Sequence, residues 1–344
     1  MQPFAAMFRL GVTLRLAAYR RGWFKTRRLS RPVVSVGNLT TGGTGKTPLV
    51  ALVAKILLEH GWKPSILTRG YARRSQTDLI VIEPRPARQP DAREVGDEPA
   101  MLARMLAEIP LVVCADRFRA GKVAEERFQV DAHILDDGFQ HWALARDLDL
   151  VVLDAAQELS DQRLLPAGPQ REPLRALERA QMVVITRANS NDSKPLEKLV
   201  RETHPAAKVF LSSTKLLTLV DAVSGQAVRA EDFQSRKAMA FCGIGNPGAF
   251  FRDAKRWGFD LAAMDTFPDH HVYTEPELDC LVARARKNGA SFLLTTEKDA
   301  VKFPWYGRAE LPLLACVIEA QLAAAEEFER TLLEHLVRSK KVEG

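Results

Sequence analysis

Between residues 32 and 58 an apolar β-branched run, a glycine-rich turn and an apolar helical stretch follow one another without a break. Val33-Val34-Ser35-Val36 leads through Gly42-Gly43-Thr44-Gly45-Lys46-Thr47 into Leu49-Val50-Ala51-Leu52-Val53-Ala54. This strand–loop–helix order is the context that a phosphate-binding loop requires, and it calls for a sheet with helical crossovers around it. Glycines at 42, 43 and 45 let backbone N–H groups turn inward around phosphate oxygens without a Cβ clash. Lys46 then reaches the β- and γ-phosphates, Thr47 ligates Mg2+, and the helix N-terminus adds its partial positive charge. Thr40, Thr41 and Thr44 complete the expected nucleotide-binding set, with Thr40 standing where the strict pattern has its first glycine.

A loop of this kind needs a carboxylate at the end of a neighbouring strand to hold the metal. Ala132-His133-Ile134-Leu135-Asp136-Asp137 supplies an apolar run ending in two adjacent acids. Either Asp136 or Asp137 fills that role, and the adjacent pair suggests two roles rather than one. Guanine readout would need an Asn/Thr-Lys-x-Asp motif. Thr186-Arg187-Ala188-Asn189 lacks the Lys and Asp, and Thr295-Thr296-Glu297-Lys298-Asp299 is also out of pattern, so ATP is expected.

Further apolar runs at 65–67, 111–114, 148–153, 182–185 and 209–211 alternate with helical segments, the signature of an α/β fold with a P-loop NTPase-like, doubly wound parallel sheet. Residues 216–228 read as a hairpin turning at Ser224-Gly225. After it comes a second, smaller α/β pattern with strands at 238–241 and 292–295, closed by Ala/Glu/Leu-rich helical sequence. The expected division is an N-terminal basic helix (1–30), a P-loop domain (31–214), a two-stranded linker (215–230) and a C-terminal α/β domain (231–344). Gly243-Ile244-Gly245-Asn246-Pro247 echoes a phosphate loop but lacks the Gly-Lys-Thr ending, and is read as a structural turn.

Composition is globular, with 46% hydrophobic and 27% charged residues, which excludes a disordered or collagen-like chain. Four scattered cysteines without a Cys-x-x-Cys pair argue for neither a disulfide framework nor a zinc site. No apolar stretch reaches membrane-spanning length. The net charge of +6 arises at one end: residues 1–58 hold ten Lys/Arg and no carboxylate. There Phe4, Met7, Phe8, Gly11, Leu14 and Ala18 form one helical stripe. Arg20, Arg21, Lys25, Arg27, Arg28 and Arg31 follow, interleaved with Trp23 and Phe24. The pattern admits two readings, a helix lying in a membrane interface or a helix docked on the protein's own core.

Two loops concentrate polar chemistry, Gly96-Asp97-Glu98-Pro99 and Pro268-Asp269-His270-His271. Acids in such positions suit helix capping. A kinase, however, also needs a carboxylate or imidazole to accept the acceptor hydroxyl's proton, and an Asp oriented by a His meets that need.

Taken in order, residues 35–48, Thr68-Arg69-Gly70-Tyr71, 96–99, Leu135-Asp136-Asp137-Gly138-Phe139-Gln140-His141, 164–173, 243–247, 267–271 and Thr296-Glu297-Lys298-Asp299-Ala300-Val301-Lys302 resemble the tetraacyldisaccharide 4′-kinases of lipid A biosynthesis over nearly the whole chain. The resemblance implies transfer of the ATP γ-phosphate to the 4′-hydroxyl of an acylated disaccharide 1-phosphate lipid, giving lipid IVA. It implies a peripheral enzyme at the membrane surface, on the cytoplasmic face of the inner membrane. It gives Asp136 and Asp137 metal and catalytic phosphate-positioning roles, makes Asp97 the base, paired with His270, and leaves His141, Arg171 and Glu172 in matching motifs without firm roles. Neither a nucleic-acid partner nor an obligate protein partner is expected. Such a substrate also favours the interface reading of the N-terminal helix, since four acyl chains leave a bilayer only at about 0.8 kcal/mol per CH2.

Overall fold

Strands buried on both faces read as unbroken apolar runs, and the first half of the sheet is built from them. The structure, a computed structural model, describes residues 2–71, 73–87, 89–157, 163–189, 192–303 and 311–342. The side chains of residues 2–6 and 340–342 fall outside that description, Phe4 among them.

Helix α1 (Gln2–Arg20) precedes β1 (Val33–Asn38), α2 (Lys46–Glu59), β2 (Pro64–Thr68) and β3 (Leu79–Ile82). Then come α3 (Ala92–Val95), α4 (Asp97–Met105), β4 (Leu111–Cys114), α5 (Arg117–Phe128), β5 (Ala132–Asp136), β6 (Leu148–Asp154) and β7 (Met182–Thr186). Helix α6 (Lys194–Thr203) leads to β8 (Lys208–Asp221), β9 (Ala227–Val228), α7 (Glu231–Gln234), β10 (Lys237–Cys242) and α8 (Pro247–Arg256). The chain closes with β11 (Asp260–Thr266), α9 (Glu275–Lys287), β12 (Phe292–Thr296), α10 (Glu297–Ala300), β13 (Leu313–Leu322) and α11 (Ala325–Val342).

One sheet runs through the molecule in the order β11-β10-β12-β13-β8-β7-β6-β1-β5-β2-β4-β3, with β9 paired to β8. From β7 to β4 every neighbour is parallel, and β3 turns antiparallel at the edge. β8 serves both halves. Its first residues run parallel to β7, from Lys208 to Leu211, and from Ser212 to Asp221 it runs antiparallel to β13. The hairpin at Ser224-Gly225 is present, with only Leu219↔Val228 and Val220↔Ala227 paired across it.

Side-chain alternation sorts the second half into two layers. Ala238, Ala240 and Cys242 face Phe250 and Ala254 of α8, while Met239 and Phe241 face Leu278, Leu281 and Ala285 of α9. The last helix does not stay there. Phe328, Leu332 and Leu336 of α11 join the core that α2 and α4 build on the first half of the sheet. The run 231–344, expected as one unit, therefore contributes to both cores. The expected closing helix is α11, and before it β13, a strand the sequence reading did not single out, is paired on both sides by β12 and β8.

At the N-terminus the expected stripe is largely uncovered. Met7, Leu10 and Leu14 are exposed, as are Trp23 and Phe24 beyond the helix. Ala18 alone is buried, and Tyr19 meets the rings of Phe24 and Trp142. Among the described residues no helix is long and apolar enough to cross a membrane.

Candidate active site

The turn after β1 is held from below and from the side. Asn38 donates to the Thr44 hydroxyl at 3.1 Å, and the Thr186 hydroxyl donates to the Thr44 carbonyl at 2.8 Å. Thr40 donates its hydroxyl to Gln157 at 2.7 Å, and the Thr41 N–H bonds the Pro169 carbonyl at 2.8 Å. Gly42 and Gly45 take the left-handed backbone at φ 101° and 85°, whereas Thr40 does not, which is why a β-branched residue fits at position 40. Gly45 caps α2 without a side-chain hydrogen bond, so the first N–H groups of the helix remain available to a ligand.

Facing this turn, at the end of β5, the two acids part company. Asp136 is buried and accepts from the Thr68 hydroxyl at 2.9 Å. Burial, with the charges of Glu98 and Asp137 beside it, pushes its carboxyl up to about 7. Asp137, in the left-handed backbone at φ 51°, lies 3.5 Å from Lys46 and 2.7 Å from Arg171. Burial opposes its charge, but Lys46 and Arg171 outweigh that and hold its carboxyl below the ordinary range.

The second half supplies the far wall. Asp97, the first residue of α4, meets Nδ1 of His270 at 3.1 Å although 173 residues separate them. Burial raises the Asp97 carboxyl, yet the His270 hydrogen bond and the Lys302 and Lys298 charges bring it below its usual value. His271 turns away, bonding Glu277 at 3.0 Å and stacking on Phe267, so of the two neighbours only His270 faces the cleft. The cleft holds about 700 Å3, and its lining includes the turn 41–47, Asp136, Asp137, Arg171 and His270.

The residues matched by motif alone divide. Arg171 is in the cleft. Glu172 is not: it is paired with Arg179 at 2.8 Å, whose guanidinium lies over the Phe139 and Trp142 rings, and this is a structural pair. His141 is pushed down to about 4 by burial and by Arg117 and Arg146, so it is neutral at pH 7.

Comparison with known proteins decides the family. The model of the tetraacyldisaccharide-1-P 4′-kinase family matches residues 1–337. A tetraacyldisaccharide 4′-kinase of Geobacter metallireducens is 39% identical over 326 residues, 94% of each chain. That of Desulfotalea psychrophila is 37% identical over 332 residues, 96% of this chain and 94% of its own. The chain belongs to the tetraacyldisaccharide 4′-kinase family. The crystal structure of LpxK from Aquifex aeolicus in complex with ATP superposes with a TM-score of 0.76 at 29% identity, covering 97% of this chain and 98% of that one. The fold class expected from the sequence holds, and the enzyme is an ATP-dependent phosphotransferase of lipid A biosynthesis acting at the 4′ position.

This kinase's cleft suits Mg2+–ATP by its donor chemistry. The left-handed glycines, the free helix start and Lys46 suit phosphate oxygens. Thr47 and the crowded carboxylates of Asp136 and Asp137 suit a hard divalent cation, whose charge would relieve their mutual repulsion.

Sequence reasoning assigned no role to Lys298 or Lys302. Lys298 lies 3.1 Å from Asp269 and 3.7 Å from Glu98, and Lys302 lies 3.3 Å from Asp97.

Proposed function

We propose that the enzyme moves the γ-phosphate of ATP to the 4′-hydroxyl of an acylated disaccharide 1-phosphate, with Asp97 accepting the hydroxyl proton and His270 orienting Asp97. The observation that carries this reading is the 3.1 Å contact of Asp97 with His270, a residue that lines the same cleft as Lys46, Asp137 and Glu98. Asp97 is disposed to act as a base because its charged form is the favoured one at neutral pH. Lys46 and Thr40 to Thr47 bind the triphosphate, and Arg171 keeps Asp137 charged and in place. Thr47, Asp136 and Asp137 are the proposed ligands of Mg2+, which when bound neutralises charge on the phosphates. Both halves of the sheet are needed: the nucleotide side and Asp97 come from 31–214, and His270 from the part beyond the 215–230 linker. The two-domain division is proposed on that ground.

The test is a transfer assay with γ-labelled ATP, Mg2+ and detergent-dispersed disaccharide 1-phosphate. Asp97→Ala and His270→Ala are expected to lower kcat by about 10^2- to 10^4-fold, the usual share of general base catalysis, with ATP binding retained. Near-wild-type turnover in either variant would refute the dyad.

We also propose that α1 and the basic segment after it hold the enzyme on the cytoplasmic face of the inner membrane. Uncovered Met7, Leu10, Leu14, Trp23 and Phe24 beside a run of arginines support this. Each basic residue near an anionic surface adds about 1 kcal/mol. Deleting residues 4–28 is expected to weaken binding to anionic vesicles and leave ATP affinity intact; vesicle binding at the wild-type level would remove the proposal.

A further inference from the structure

Two nitrogens converge on one oxygen of Asp97. His270 Nδ1 lies 3.1 Å and Lys302 Nζ 3.3 Å from Oδ2, while Oδ1 takes no hydrogen bond from the described residues. Lys302 itself is buried, and its Nζ also contacts Oδ1 of Asp299 at 3.1 Å and lies over the Tyr273 ring. A buried ammonium between two carboxylates has been taken out of water, and a position that needed only filling would be served by an apolar side chain.

Asp299 is fully buried and saturated. Its Oδ2 accepts from the Gly243 N–H at 3.0 Å and the Thr296 hydroxyl at 2.8 Å, and its Oδ1 from the Tyr273 hydroxyl at 3.1 Å. The anchor on which Lys302 rests is therefore fixed by three elements at once. One of them is the loop 243–247, whose Gly245 touches Gly43 of the phosphate loop.

We propose that Lys302 is a positioning residue of the transfer reaction: seated on Asp299, it pins Oδ2 of Asp97 together with His270 and leaves Oδ1 as the oxygen that takes the proton. This rests on the reading of Asp97 as the base. Lys298 is not its equivalent, since it faces Asp269, Glu98 and Nε2 of His270. The charged and titratable groups around the pair are thus Glu98 on α4, Asp269 and His270 after β11, Tyr273 before α9, Lys298 and Asp299 on α10, and Cys242 at the end of β10.

The variant is Lys302→Met in the full-length enzyme, assayed for labelled lipid from pH 4 to 9. Losing the ammonium removes one of the charges that hold the Asp97 carboxyl down. The acid limb of kcat is expected to move up by about one pH unit, and kcat to fall about 10-fold, with KM for ATP within about twofold. Lys302→Arg, which keeps the charge, is expected to return the limb toward its wild-type position. A structural role alone would lower the active fraction and the Tm and leave the limb where it was. If Lys302→Met does not fold, Lys302→Met with Asp299→Asn removes both charges of the buried pair, and the same limb is read. An unmoved limb in whichever variant folds overturns the proposal. Asp97→Asn run alongside separates the two ideas: turnover in Asp97→Asn ends the base reading, whereas an inactive Asp97→Asn beside an unmoved limb ends only the role of Lys302.

Discussion

Two strand–glycine loop–helix units meet at the cleft, and only one of them is equipped for phosphate. After β1, the turn 42–47 enters α2 through Gly45, which offers no side chain to the helix's first N–H groups. After β10, the loop 243–247 enters α8 through Asn246, whose side chain accepts from the Ala249 N–H at 3.1 Å, and through Pro247, which has no N–H to offer. The difference lies in how the helix start is satisfied. A capped start has used up the donors that an anion would take, and an uncapped one keeps them. The second loop acts instead as a wall. A Cβ on Gly245 would stand 2.7 Å from the Gly43 nitrogen, so the two loops meet backbone to backbone.

This contrast can be broken in three places. Lys46→Ala removes the cation that the second loop lacks, and it should reduce lipid labelling about 10^3-fold, as the loss of a charge-stabilising donor does. If turnover survives, the first loop is not the phosphate site. Gly245→Ala should come next, because neither neighbouring backbone can yield to the added methyl. We expect KM for ATP to rise about 10-fold, as if a positioned contact were displaced by a fraction of an ångström. Gly248→Ala presses on nothing closer than the far end of Arg252, at 3.3 Å, and serves as the silent control. The smallest effect is Asn246→Ala, a lost cap costing about 1 kcal/mol and seen as a Tm lower by about 2–4 °C, with kcat unchanged. A large fall in kcat there would mean that the second loop also takes part in transfer.

The first of these units was legible because its signal is local. Strand, glycines, Lys46 and Thr47 are consecutive, and Asp136-Asp137 ends a strand that announces itself by its apolar run. Asp97 and His270 were legible as polar loops and as family motifs, but their meeting depends on a sheet that spans both halves. Lys302 was not legible as a partner of Asp97, since nothing in the intervening sequence encodes that distance. β13 was not marked as a strand for a related reason. Ala315, Glu319, Ala320 and Gln321 favour helix in isolation, and the ladders from β12 and β8 override that preference. β11 escaped notice as an edge strand of modest hydrophobicity, paired on one side only.

The placement of α11 has a consequence for how the molecule is made. Its Phe328, Leu332 and Leu336 complete a core that includes Val34, Leu49 and Val53, which are translated long before α11. The nucleotide-binding half therefore leaves the ribosome in an unfinished state, with apolar surface uncovered until α11 follows. The second half, by contrast, has its strands, α8 and α9 in hand once β13 is out. The half of the enzyme that begins first is the one that finishes last.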